Sequence, residues 1–313
     1  WSYNINNPIA ETRCHASLYF LKQLQKKTIF GKKKINWKVP KGVEPTEFDR
    51  KILNFQNRGF LVPKNELVLN EEQIEGIRRS GVVNTGVLDA VAAAIRPGMT
   101  TQEIDDIVYQ YTIDHGAIPA CLNYEGFPKS VCVSRNEVVC HGIPSTTEVL
   151  KEGDIVNVDC TTILDGYYAD ASRMFIIGET TPEKKRLVDV AKECLDLAIS
   201  ICKPFTFVGD FGNAIEKHAK ANGYSVVREL CGHGVGLKFH TEPEVCHYGK
   251  KMSGMLLVPG MVFTIEPMIN MVVRNVLFDK KDGWTVRTAD LLPSAQWEHT
   301  FVMREDGLEI LTY

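Results

Sequence analysis

Residues 150–176 read LKEGDIVNVDCTTILDGYYADASRMFI, and the fold is decided there. Two apolar, β-branched runs flank Asp165-Gly166, a dipeptide that favours a two-residue hairpin turn. The pattern predicts an antiparallel pair with Asp159 on the outgoing strand and Asp170 on the returning one. The midpoint of 159 and 170 falls at 164.5, inside the turn, so the two aspartates are expected opposite or diagonal to one another. Two ionised carboxylates that close repel, so one is protonated or a cation lies between them. The neighbours Ile155, Val156, Val158, Phe175 and Ile176 argue for burial over a pair of surface acids beside a turn.

The start of this stretch has a counterpart further on. LKEGDIVNVD (150–159) lines up with LVPGMVFTIE (257–266), keeping a leucine, a glycine and a terminal carboxylate in register. The offset of 107 also carries Asp89 to Asp196, Pro97 to Pro204, Gly116 to Gly223, Gly153 to Gly260 and Asp159 to Glu266. Each half reads long helix, Pro-turn, second helix, Gly-turn, strands. In the first half, Asn70 caps a helix carrying Ile74, Ile77, Leu88, Val91 and Ile95, stopped by Pro97-Gly98. Thr100 or Thr101 caps the next, with Ile104, Ile107, Val108 and Tyr111 on one face. A duplicated α+β unit with a pseudo-two-fold axis follows, and that axis brings Asp159 and Glu266 to one central site.

The 313 residues, 44% hydrophobic, suffice for a sizeable core and exclude disordered, collagenous and disulfide-scaffold classes. Pro259, Gly260, Glu266, Pro267 and Asn270 interrupt the most apolar run, 256–273, so no membrane helix is expected. Nine cysteines without a CxxC pair indicate reduced thiols inside a cell. Charge is uneven: residues 1–70 hold 13 Lys/Arg against 5 Asp/Glu, a net +8, and the remainder is net −11. A short amphipathic stretch (Leu18, Leu21, Leu24) leads into Lys32-Lys33-Lys34, and the whole segment is expected to be a solvated basic arm.

Further carboxylates sit on apolar runs: Glu266 ends MVFTIEP and Glu298 lies within AQWEHTFVM, where a buried acid needs a partner. No cluster of Lys or Arg shares these runs. His233, between glycines in CGHGVG, supplies a nitrogen, with His141 (VVCHGIP) and His240 (KFHTEP) as nearby candidates. His15, His115, His218 and His247 look like ordinary solvent or helix histidines, and His299 points away from Glu298 by strand alternation. One histidine with four carboxylates suits two divalent ions, with Mn, Fe or Co fitting at least as well as Zn.

The ordered set Asp159, Asp170, His233, Glu266 and Glu298, in NVDCT, YYADASRMF, CGHGVG, FTIEPM and SAQWEHT, closely resembles the type I methionine aminopeptidases. The resemblance runs from about residue 71 to 313. It implies the pita-bread fold of peptidase family M24, with two pseudo-symmetric halves whose antiparallel sheet is covered by helices. It divides the chain into a basic N-terminal extension (1–70) and a catalytic metallopeptidase domain (71–313).

By the same resemblance, Asp159 chelates one metal, His233 and Glu266 bind the other, and Asp170 and Glu298 bridge both. The metals would be two of Co, Mn, Fe or Zn. Glu266 would be the proton acceptor as a metal-activated hydroxide attacks the first peptide bond. His141 and His240 would hydrogen-bond substrate and stabilise the tetrahedral intermediate. Cys121, Tyr124, Phe127, Cys132, Phe239 and Trp284 correspond to the methionine pocket, whose sulfur and aromatic lining suits a thioether. Asn136, Val138 and Ser294 match positions where the family holds a monovalent cation, Na or K. Departures are few: Phe127 stands where some relatives carry Tyr, and only 33 residues separate His233 from Glu266, without the type II insertion.

The activity implied is removal of the initiator methionine from nascent proteins when the second residue is small. Two alternatives are weaker. A proline-directed peptidase of the same fold would carry more histidines and a large N-terminal domain, and a non-enzymatic binder would have lost metal ligands. The ribosome, through the basic extension, is a further expected partner; a membrane and DNA are not, and a monomer is expected. The expected location is the cytoplasm, or a mitochondrion or plastid if a targeting segment precedes Trp1.

Overall fold

The computed structural model describes residues 36–313. Leu18, Leu21, Leu24, Lys32-Lys33-Lys34, Cys14 and His15 lie outside the described residues. Five α-helices are described: α1 (Glu47–Asn57), α2 (Glu71–Ala94), α3 (Thr101–Asp114), α4 (Pro182–Ile201) and α5 (Val208–Ala221). Asn70 and Thr100 cap α2 and α3 through reciprocal bonds with Gln73 and Glu103, as their sequences predict. Ile95 has already left the helix, adopting extended backbone as the C-cap of α2.

The first half builds a sheet from β1 (Ile118–Pro119), β2 (Cys132–Arg135), β4 (Ile155–Leu164) and β5 (Tyr167–Ile176). Its neighbour β3 (Val138–Cys140) belongs to a small sheet with β11 (Val276–Phe278) and β12 (Val286–Thr288). The second half supplies β6 (Ser225–Val226), β10 (Met268–Asn270) and β13 (Ser294–Gln296) as a three-stranded sheet. Its larger sheet runs β15-β14-β9-β7-β8, from Leu308–Ile310, His299–Met303, Val262–Ile265, Gly232–Gly234 and Thr241–Val245. The offset of 107 holds at element starts: α3 to α5, β1 to β6 and β4 to β9.

Asp165 and Gly166 both have positive φ, 52° and 84°, and close the β4–β5 hairpin with Leu164 opposite Tyr167. That turn fixes the register. Asp159 faces Ser172 and Asp170 faces Thr161, so the two aspartates are diagonal neighbours. Helix α2 lies on this hairpin: Ser80 Oγ donates to the Thr162 carbonyl, and Asn84 Nδ2 donates to the carbonyls of Cys160 and Ala169. Gly81 lets the C-terminal segment pass close to α2, since a Cβ there would collide with the Leu311 carbonyl. The hairpin and the larger sheet of the second half meet at a two-way backbone bridge, Ser172 with Glu298.

Residues 36–70 are not a solvated arm. Trp37, Ile52 and Val62 are buried in the core that α4 and α5 share with β9. Phe55 packs edge-on against Phe207 at 5.7 Å and Phe60 lies 4.9 Å from it, while Trp37 Nε1 donates to Asp49 Oδ1. The basic count of this stretch hid an amphipathic α1 whose apolar side is its docking face. Among the described residues no helix is long and apolar enough to cross a membrane. Ile52 is fully buried, so Ile52→Ala is expected to lower the unfolding free energy by about 2–5 kcal/mol. Urea denaturation of the variant beside the parent checks it.

Candidate metal centre and its pocket

The β4–β5 hairpin and the β9–β14 strand pair converge at this meeting point. Asp159 and Asp170 come from β4 and β5, and Glu266 and Glu298 stand one residue beyond the β9–β14 ladder, opposed in its register. Glu298 is therefore at a break between β13 and β14 rather than inside a strand. His233 lies in β7 at an irregularity in its pairing with β8. Ligand atoms of Asp170, His233 and Glu298 lie within 4.8 Å of one another. His233 Nε2 is 3.6 Å from Asp170 Oδ2 and 3.7 Å from Glu266 Oε1. Its Nδ1 donates to the Gly234 carbonyl at 3.1 Å, which turns Nε2 toward the carboxylates.

Hydroxyls hold the acids in place. Thr161 Oγ donates to Asp170 Oδ1, and Thr264 Oγ donates to Glu266 Oε1 while accepting the His233 N–H. Gln296 Nε2 donates to Glu266 Oε2 at 3.0 Å, and Asp170 N–H donates to Thr300 Oγ. His247 is fully buried, and its Nε2 accepts the Glu266 backbone N–H at 3.0 Å. The reading of His247 as an ordinary surface or helix histidine is thereby corrected. His115 and His218 do sit on helix surfaces, and His299 packs toward Phe301 and Tyr313.

Electrostatics show a site short of positive charge. Burial pushes the Asp159 carboxyl up to about 7; burial and then Asp159 push Glu266 up to about 8. Asp170 and Glu298 are raised well above the usual carboxylate range, by burial first and then by their acidic neighbours. Among the described residues no Lys or Arg pairs with any of the four; Arg173 on β5 is turned to Asp89 and the Tyr313 carbonyl instead. Burial lowers His233 to about 4, leaving the neutral imidazole a metal needs. Glu298 Oε1 is buried with no protein partner. A cluster of hard oxygens with one nitrogen, unneutralised and partly unpaired, fits divalent cations.

These acids line a cavity of about 270 Å³. At one end Cys121, Phe127, Cys132 and Trp284 pack together, with Phe127 and Trp284 rings edge-on at 5.2 Å. Tyr124 and Phe239 close the pocket, their rings 4.7 Å apart. His240 stacks on Phe239 at 4.1 Å, meets His233 at 4.2 Å and shares a hydrogen bond between Nδ1 and the Tyr124 hydroxyl. The rings thus run unbroken from the apolar pocket to the metal-side imidazole. His141, with φ 55°, also lines the cavity, its Nδ1 buried without a protein partner. Asn136 and Ser294 are brought together elsewhere by an N–H···O bond from Ser294, with Val138 two residues along. The Asn136 side chain there is engaged by Asp154 and by Lys184 Nζ.

Residues 75–305 match the model of metallopeptidase family M24. The chain belongs to that family. This M24 chain is 51% identical over 246 residues to methionine aminopeptidase A of Synechocystis, covering 78% of the chain and 96% of that relative. It is 48% identical over 242 residues to the methionine aminopeptidase of Escherichia coli K12, covering 77% and 91%. A crystal structure of methionine aminopeptidase from Rickettsia prowazekii superposes with a TM-score of 0.77 at 43% identity, covering 79% of this chain and 99% of that one. Prolidase from Pyrococcus furiosus, at 21% identity and a TM-score of 0.63, shares the fold.

Sequence reading of the M24 chain missed Thr161, Thr264 and Gln296. Each lies two residues from a proposed ligand (Asp159, Glu266, Glu298), where strand alternation returns a side chain to the same face. Nothing local marked His247, whose partner is 19 residues distant.

The shifts set a pH dependence for the metal-free protein. Unfolded carboxyls are ionised by neutral pH, whereas native Asp159 and Glu266 hold protons up to about 7 and 8. The native state then binds more protons, so stability is present at low pH and lost as pH rises through those values. The buried histidines oppose this trend while their unfolded counterparts still hold protons, and that opposition fades within about one pH unit above 6.5. Calorimetry in chelator is expected to show a falling thermal midpoint from pH 7.5 to 8.5, and added Mn²⁺ to raise it more at pH 8.5.

Proposed function

We propose that this chain removes the N-terminal methionine from nascent polypeptides whose second residue is small. One observation carries the reading: a single cavity has metal-ligating side chains on one wall and a cysteine and aromatic pocket at one end. Asp159, Asp170, His233, Glu266 and Glu298 would hold two divalent ions drawn from Co, Mn, Fe or Zn. When bound, such ions supply Lewis-acid polarisation of the peptide carbonyl and a water acidified to near neutrality. A monovalent cation at Asn136, Val138 and Ser294 belongs to the same proposal, as do a ribosome contact through residues 1–70 and a cytoplasmic site of action.

The chain's own groups do the rest. The methionine thioether seats among Cys121, Cys132, Phe127 and Trp284, where sulfur–aromatic contact and exclusion of water favour it. With the Tyr124 hydroxyl donating to Nδ1, neutral His240 keeps its proton on Nε2 and donates it to the carbonyl oxygen as negative charge develops there. Burial lowers His141 to about 4, so it too is neutral and turns its ring to the substrate. Glu266, its two oxygens steadied by Thr264 and Gln296, takes the proton from the attacking water and returns it to the leaving amine.

The test is hydrolysis of Met-Ala-Ser by metal-stripped protein reconstituted with Mn²⁺ or Co²⁺, with Leu-Ala-Ser and Ala-Pro-Ala alongside. Metal-dependent release of Met alone is expected. His233→Ala should lower kcat/KM by more than about a hundredfold. Cleavage of Ala-Pro-Ala instead would move the chain to the proline-directed peptidases, and no turnover with any metal would sink the enzymatic reading. Trp284→Ala is expected to raise KM for Met-Ala-Ser and narrow the preference over Leu-Ala-Ser, by loss of the wall that Phe127 packs against.

A further inference from the structure

Cys231 and Cys246 stand one position beyond the β7–β8 ladder. The register that pairs Gly232 with Val245 places them opposite each other. Their thiols share a hydrogen bond. Both are partly exposed, whereas the other described cysteines are buried. Both also line the cavity, in company with Arg228, Leu230 and Tyr248, apart from the Cys121–Trp284 pocket. Directly opposed residues of an antiparallel pair hold their Cβ atoms about 4.5–5.5 Å apart. A disulfide needs about 3.5–4.5 Å, so a small local closure brings the sulfurs to bonding distance. The proposed peptidase mechanism uses neither thiol.

We propose that Cys231 and Cys246 form an oxidisable dithiol that a hydroperoxide closes to a disulfide, tying together the two segments that wall the cavity. One sulfur attacks the peroxide oxygen, giving a sulfenic acid and releasing water (or an alcohol). The second sulfur displaces the sulfenic hydroxyl as water, forming the S–S bond. Two thiols are oxidised and one peroxide is reduced, and the thiol protons leave in the released molecules. A dithiol reductant reverses the change by exchange. Cys121 and Cys132 also lie in contact, yet both are buried in the pocket lining and so less open to a solute than the partly exposed Cys231 and Cys246.

The experiment treats the zinc-loaded protein, whose metal has no redox chemistry of its own, with hydrogen peroxide and maps its peptides without reduction. The expected result is a 231–246 cross-link, a fall of two in the thiol titre and full reversal by dithiothreitol. The cross-link should be absent from both Cys231→Ser and Cys246→Ser; the map of the parent protein decides the matter if neither variant folds. No cross-link, a bridge between other cysteines, or separate sulfinic acids at the two positions overturns the proposal. Its effect on the cavity is read as a several-fold slowing of Met-Ala-Ser hydrolysis, a readout that rests on the aminopeptidase reading as the cross-link does not. A 231–246 bridge with unchanged hydrolysis overturns that effect, while an untreated enzyme without activity faults the peptidase reading instead.

Discussion

Four carboxyl groups share one desolvated site with a single imidazole, and the molecule is arranged to keep them there against their repulsion. The means are backbone ladders and hydroxyls. Two antiparallel strand pairs, β4–β5 and β9–β14, fix the positions of Asp159, Asp170, Glu266 and Glu298, and Thr161, Thr264 and Thr300 bond the acids or their backbone. Neutralisation is left to protons or to cations, because among the described residues no Lys or Arg pairs with the acids and burial keeps the neighbouring His233 neutral. The charge deficit and the metal affinity are the same fact, seen without and with the ions.

Duplication explains how one fold came to deliver four acids. Each half contributes an antiparallel strand pair, and the axis between halves places β4 and β9 in equivalent positions at a spacing of 107. The halves are not copies in detail. The aspartates of the β4–β5 hairpin are diagonal, whereas Glu266 and Glu298, at the end of the β9–β14 ladder, are directly opposed. Residues 36–62 add to the difference, since Trp37, Ile52 and Val62 join the core of α4 and α5.

Much of this was legible in the sequence. Asp165-Gly166 announced the hairpin, Asn70 and Thr100 announced their helices, and the repeat brought Asp159 and Glu266 to one centre. The diagonal register was open because a midpoint does not say which two residues form the turn. The left-handed backbone of Asp165 and Gly166 settles that. The docking of Trp37 and Ile52 was hidden because local charge dominated the reading of residues 1–70, while the helices α4 and α5 whose core they join lie more than a hundred residues away. His247 and the partnership of Tyr124 with His240 are tertiary in the same sense: no short spacing encodes either.

Tyr124 belongs to two structures at once. Its ring walls the apolar pocket beside Phe239, and its hydroxyl steadies the imidazole of His240, which in turn lies against His233. Under the proposed function, the groove that would recognise a side chain and the group that would answer the developing charge therefore stand on a common post. An ill-fitting residue that displaces Tyr124 unsettles His240 in the same movement. Under the proposed function, such a coupling would act after docking: a wrong guest would be admitted, find the machinery out of alignment, and leave intact.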